Sequence, residues 1–164
     1  MNLRRLFRHL AMVPWHLRRC FPPESLTTIE VAIADGEASH GGQICFAIEA
    51  ALSTGALLRG VSARERAIEI FSRLRVWDTE GNNGVLIYLL LADRDVEIVA
   101  DRGLASRVSQ ADWEAICRRM EAAFGQGEYR AGLLIGIEEV RQRLAGHFPP
   151  AGAGNELPDR PAIL

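Results

Sequence analysis

The sequence predicts an α/β fold, a three-layer α/β/α sandwich around a small mixed sheet. Three observations carry this. Residues 85–91, Val-Leu-Ile-Tyr-Leu-Leu-Leu, are apolar without alternation, the pattern of a strand covered on both faces. Residues 43–91 read as strand, helix, strand, the unit that joins two parallel neighbours in one sheet. Two Ser-x-x-acid boxes, Ser62 with Glu65 and Ser109 with Asp112, each open a segment of helical apolar spacing.

Taken in order, residues 1–23 form a basic amphipathic segment interrupted at Pro14. Leu3, Leu6, Phe7, Leu10 and Met12 are flanked by Arg4, Arg5, Arg8, Arg18 and Arg19. It reads as a helix packed on the domain or as a weak attachment to a membrane surface, where apolar burial and arginines suit anionic lipid. Ser25 or Thr28 is placed to cap a helix to about residue 38, with Leu26, Ile29 and Ile33 at helical spacing. His40-Gly41-Gly42 stops it, and residues 43–52 read as a strand in which Ile44, Phe46 and Ile48 alternate with Gln43, Cys45, Ala47 and Glu49. The Ser62 box starts a helix to about residue 74. A polar loop, 77–84, leads into the apolar strand, a turn at Asp93-Arg94, and a third strand whose Glu97 and Arg102 mark it as an edge. Helices follow over about 110–124 and 128–144. From Pro149 the tail is rich in Pro and Gly, so it is expected to be mobile or laid across the surface. The organisation is thus a segment 1–23, an α/β domain 24–147 and a tail 148–164.

Composition sets the class. With 164 residues, 48% hydrophobic and 24% charged, the chain suits one globular domain, and a formal net charge of -2 gives no bias towards nucleic acid. The charge is unevenly placed. Residues 1–20 hold five arginines and no acid, so the rest carries a formal -7 for the total to be -2. Three cysteines without close spacing argue against a disulfide framework or a structural zinc site, and Cys45 and Cys117 fall at core positions. No run reaches the roughly 18 apolar residues of a membrane span, and the first residues lack the apolar core and cleavage site of a signal peptide. A cytoplasmic monomer is expected, peripheral at the inner face of the membrane if the basic segment attaches there.

The candidate site follows from the hairpin. A turn centred on Asp93-Arg94 sets Leu91 opposite Val96, Ile87 opposite Ala100, Leu86 opposite Asp101 and Gly84 opposite Gly103. A parallel first strand begins at the same end, so residues 40–43, 78–83 and 101–103 converge. Asp78, Glu80, Asn82, Asn83 and Asp101 offer oxygen ligands of the kind calcium or magnesium takes, though not in an EF-hand spacing. Solvated acids and turn-forming Asn and Gly account equally for any one of them. His40, Gln43, Gly84, Arg102 and Gly103 complete a small-ligand surface in which Arg102 pairs with an acid or a phosphate. No Walker A, GxSxG, HExxH or GxGxxG pattern occurs, and no catalytic residue is assigned.

His40-Gly41-Gly42-Gln43-Ile44, Asn82-Asn83-Gly84-Val85-Leu86-Ile87 and Val96-Glu97-Ile98 leading to Asp101-Arg102-Gly103 resemble the TPM-domain family, over about residues 26–144. The resemblance is to its small bacterial stand-alone form, which lacks the signal peptide and trailing membrane helix of many relatives. It implies an α/β/α sandwich. Some members are described as divalent-metal binders and a plant member as an acid phosphatase. Relatives often show an acid where Gln43 stands here, which removes one ligand charge. The first expectation is therefore a binding module for a divalent cation or small anionic ligand, with room for a protein partner. The alternative is a metal-assisted phosphatase acting on phosphate monoesters, in which Asp78 or Asp101 positions metal and water, Arg102 binds phosphate and His40 protonates the leaving group.

Overall fold

The computed structural model describes residues 3–12, 14–37, 39–150 and 155–164. In chain order the elements are α1 (Leu3–Leu10), α2 (Pro14–Cys20), α3 (Pro23–Glu37), β1 (Gln43–Glu49), α4 (Thr54–Leu58), α5 (Ala63–Arg73), β2 (Gly84–Leu90), β3 (Asp95–Ala100), α6 (Arg102–Ala105), α7 (Gln110–Gly125), α8 (Tyr129–Ala145) and β4 (Ala162–Ile163). The sheet order is β3-β2-β1-β4, with β1 parallel to β2 and β4, and β3 antiparallel to β2.

Every residue of β1 and β2 is buried, because the two faces of the sheet serve two different apolar layers. Ile44, Phe46, Ile48, Val85, Ile87, Leu89, Val96 and Ile98 face α3, α7 and α8. Cys45, Ala47, Leu86, Tyr88, Leu90 and Val99 face α4, α5 and Leu157 of the tail. The α/β/α sandwich is therefore present, with β3 at one edge as expected. Cys45 and Cys117 are buried, and desolvation pushes their thiols up to about 11 and about 12.

Local chemistry explains the helix starts. Ser62 caps α5 in a full capping box: its hydroxyl accepts from the Glu65 amide at 3.1 Å and Glu65 accepts from the Ser62 amide at 2.8 Å. Ser109 caps α7 by accepting from the Asp112 amide at 3.2 Å. Neither Ser25 nor Thr28 caps α3. That helix begins at Pro23, whose fixed φ and missing N–H suit a first turn, and Thr28 bonds back to the Glu24 carbonyl at 2.8 Å.

Two expectations are corrected. The hairpin register is slipped by two residues: Leu89 faces Val96, Ile87 faces Ile98 and Val85 faces Ala100. The turn takes all four residues 91–94, with Arg94 at φ 54, instead of centring tightly on Asp93-Arg94. A slip of two keeps each side chain on its intended face, so the core is unaffected. The tail is also more ordered than its composition suggested. Ala162 and Ile163 pair with Ala47 and Ile48, adding a fourth strand, and the Leu164 amide bonds the Ile48 carbonyl at 3.0 Å.

Candidate functional site

The amino-terminal ends of β1 and β2 meet the end of β3, and the expected segments do converge there. The Asp101 amide donates to the Gly84 carbonyl at 2.9 Å, and the Gly103 amide to the Asn82 carbonyl at 3.0 Å. Gly103 is required by this approach, since a Cβ there would lie 2.4 Å from the Asn82 carbonyl oxygen. Asn82 takes φ 48, a conformation that Asn tolerates, and its Oδ1 accepts from Arg102 Nε at 2.6 Å. Asn83 is buried and stitches the loop to β1. Its Nδ2 donates to the Gly41 carbonyl at 2.5 Å, and its carbonyl accepts from the Gln43 amide at 3.3 Å. Thr79, whose role sequence reading missed, is buried beneath the loop and accepts from the Asn83 amide at 3.1 Å.

The ten candidate residues divide by what they already bond. Asp78 is exposed and paired with Arg75. Glu80 is exposed, and its amide donates to Glu156 Oε2 at 3.0 Å. Arg102 is committed to Asn82. Gln43 is buried, and its Oε1 accepts from the amides of Glu156 and Leu157 at 2.8 and 3.0 Å, so it straps the tail over this end of the sheet. Gly84 packs against Val76, where a Cβ would sit 2.0 Å from the carbonyl oxygen. His40 is buried in the turn after α3, and its Nδ1 accepts from the Gly42 amide at 3.2 Å. Burial holds its pKa below the usual value against that bond, leaving a neutral ring.

Two oxygens are left over. Asp101 caps α6 with Oδ1, which accepts from the Arg102 amide at 2.7 Å, while its Oδ2 is buried without a hydrogen-bond partner. Asn83 Oδ1 is buried and unpartnered in the same way. Their residues flank the Gly84–Asp101 backbone bond. Buried polar atoms are nearly always paired, so these two oxygens stand out at this end of the sheet. The five-ligand set expected from sequence is not assembled. Among the described residues no group of three or more His, Cys, Asp or Glu side chains is placed to hold a metal ion.

The opposite end of the sheet, beyond the carboxyl ends of β1 and β2, is where open α/β sheets usually bind ligands. There Glu49 is buried and accepts from Arg66 Nε and Nη2 at 2.8 and 2.9 Å and from the Tyr88 hydroxyl at 2.7 Å. Burial and the Glu49 bond push the Tyr88 phenol well up. Beside them Asp93 receives Arg5 Nε at 2.8 Å and the Arg8 guanidinium, with His9 Nε2 3.2 Å away. Neither cluster was legible in sequence, because Glu49 lies in an apolar run and the Asp93 partners lie more than 80 residues away.

A family model, the TPM domain, matches residues 18–143. No curated protein matches the chain. Among solved structures, the NMR structure of the BA42 protein from the psychrophilic bacterium Bizionia argentinensis is 30% identical, over 86% of this chain and 93% of that one, with a TM-score of 0.75. The N-terminal domain of a P. gingivalis protein is 22% identical over 77% of each chain, TM-score 0.61. That of the cg2496 protein from Corynebacterium glutamicum is 17% identical over 87% of this chain and 78% of that one, TM-score 0.53. These last two share the fold alone. The family match over residues 18–143 and the first of these structures agree: the chain belongs to the TPM-domain family.

Proposed function

We propose that the protein is a binding module whose sheet end holds a divalent cation, calcium or magnesium, through Asp101 and Asn83. One observation carries the reading: the carboxylate oxygen of Asp101 and the amide oxygen of Asn83 are both buried and unpartnered, at residues next to the Gly84–Asp101 backbone bond that closes this end of the sheet. A carboxylate oxygen without a donor is costly to bury, and a hard cation offsets that cost directly. Backbone carbonyls of the 78–83 loop and water would fill the remaining positions. Asp78 and Glu80, exposed at the loop surface, add negative potential without direct ligation.

Titrating calcium and magnesium into the protein while following amide NMR shifts tests this. Saturable shifts at Asn83, Asp101 and Arg102 are expected, and Asp101→Asn is expected to remove them. Titration that leaves these amides unmoved would contradict the reading. The phosphatase alternative has less support, since Arg102 is bonded to Asn82 and His40 is buried in the turn after α3, with its Nδ1 taken up by the Gly42 amide.

A further inference from the structure

Helix α1 is held to the domain by its polar side. Arg5, Arg8 and His9 point inward: Arg5 bonds Asp93 Oδ2 and the Val61 carbonyl, each at 2.8 Å, Arg8 pairs with Asp93, and His9 Nδ1 accepts from the Leu52 amide at 2.9 Å. The opposite side of the helix carries Leu3, Phe7 and Leu10, spaced i, i+4 and i+7, and they are 57%, 69% and 60% exposed. This inverts the usual arrangement, in which the apolar stripe of a surface helix faces the core. Helix α2 continues the theme, with Trp15 exposed, Arg19 over its ring at 5.5 Å, and Arg18 exposed beside it.

We propose that this face of α1, with Trp15, docks on an anionic lipid bilayer surface. Charge chooses the occupant. Residues 1–20 hold no acid, Arg5 and Arg8 are taken up by Asp93, and the exposed Arg18 and Arg19 beside Trp15 leave this side cationic. Two copies meeting through it would therefore repel, whereas anionic headgroups complement it. An apolar stripe bordered by arginines with a tryptophan nearby is the composition that lies in the headgroup layer. Between these helices and the β2–β3 turn lies a cavity of about 410 Å³, lined among others by Arg8, His16, Arg94, Cys20 and Tyr129. Its one acid, Asp93, is already bonded by Arg5 and Arg8, so the cavity offers cationic surface to a lipid phosphate. No helix among the described residues is long and apolar enough to cross a membrane, and this contact is peripheral.

Co-sedimentation of the full chain with phosphatidylcholine vesicles, with and without phosphatidylglycerol, tests the proposal. Binding is expected only to the vesicles containing phosphatidylglycerol and should weaken with salt. The double substitution Phe7→Ser, Leu10→Ser should weaken it at least about tenfold, since it removes two apolar side chains that the bilayer would bury. Both residues are exposed, so the circular dichroism spectrum should be unchanged, whereas Val31→Ser on α3 should bind as the parent does. Equal pelleting of parent and double variant, or none with either vesicle, overturns the proposal. Self-association in analytical ultracentrifugation that the double variant abolishes overturns it too, by assigning the face to a second copy.

Discussion

Gly84 and Arg66 show how single side chains govern the two ends of the sheet. A Cβ on Gly84 would meet the Val76 carbonyl at 2.0 Å, and backbone cannot yield as a flexible side chain does. Gly84→Ala is therefore expected to lower stability by about 1–3 kcal/mol in urea unfolding. At the other end, Arg66→Ala would leave the Glu49 carboxylate with only the Tyr88 hydroxyl. The expected loss is about 3–5 kcal/mol at neutral pH in urea unfolding. A loss below about 1 kcal/mol would show that Glu49 does not depend on Arg66 to stay buried. The Asn-Asn-Gly loop was legible in sequence because amides and glycines beside an apolar strand have few other uses. Thr79, Glu49 and Tyr88 were not, because each looks like an ordinary loop or strand residue until its distant partner is known.

The elements that close the two ends respond to pH in opposite directions. In α3, Glu37 accepts from the Ile44 amide at 3.0 Å; burial, with Asp159 of the tail opposite, pushes its carboxyl up to about 7. A folded pKa above the ordinary carboxyl value means that tail docking is firmest in acid and weakens as pH rises through about 7. Amide shifts of Glu156 and Leu157 should report that midpoint, and Glu37→Gln should abolish it. For α1 the sign reverses. Burial holds the His9 ring below its ordinary 6.5, and Asp93, although raised by burial, is brought net below its usual value by Arg5 and His9. The docking of α1 is thus complete above about 6.5 and is lost as pH falls. Faster amide exchange over residues 3–10 in Asp93→Asn would confirm the anchor; unchanged protection there would refute it. Sequence periodicity found the apolar stripe of α1 but not its direction, because a helical pattern tells which residues share a side and not which side is packed. Likewise Ala162 and Ile163 are too short a run to announce β4.

Across the whole molecule, the α/β/α sandwich was readable because β1 and β2 are apolar on both faces and the Ser62 and Ser109 caps mark helix starts chemically. The candidate site was readable as a place: three segments meet where the register argument put them, despite a slip of two residues. Its ligand set was not, since Asp78, Asn82 and Gln43 bond within the protein and only Asp101 and Asn83 keep a free buried oxygen. The most direct measurement is anomalous-scattering density from a crystal soaked in a heavier calcium mimic. A peak is expected about 2.3–2.6 Å from Asp101 Oδ2 and Asn83 Oδ1. Featureless density there, or an ion held only by Asp78 and Glu80 at the loop surface, would contradict it.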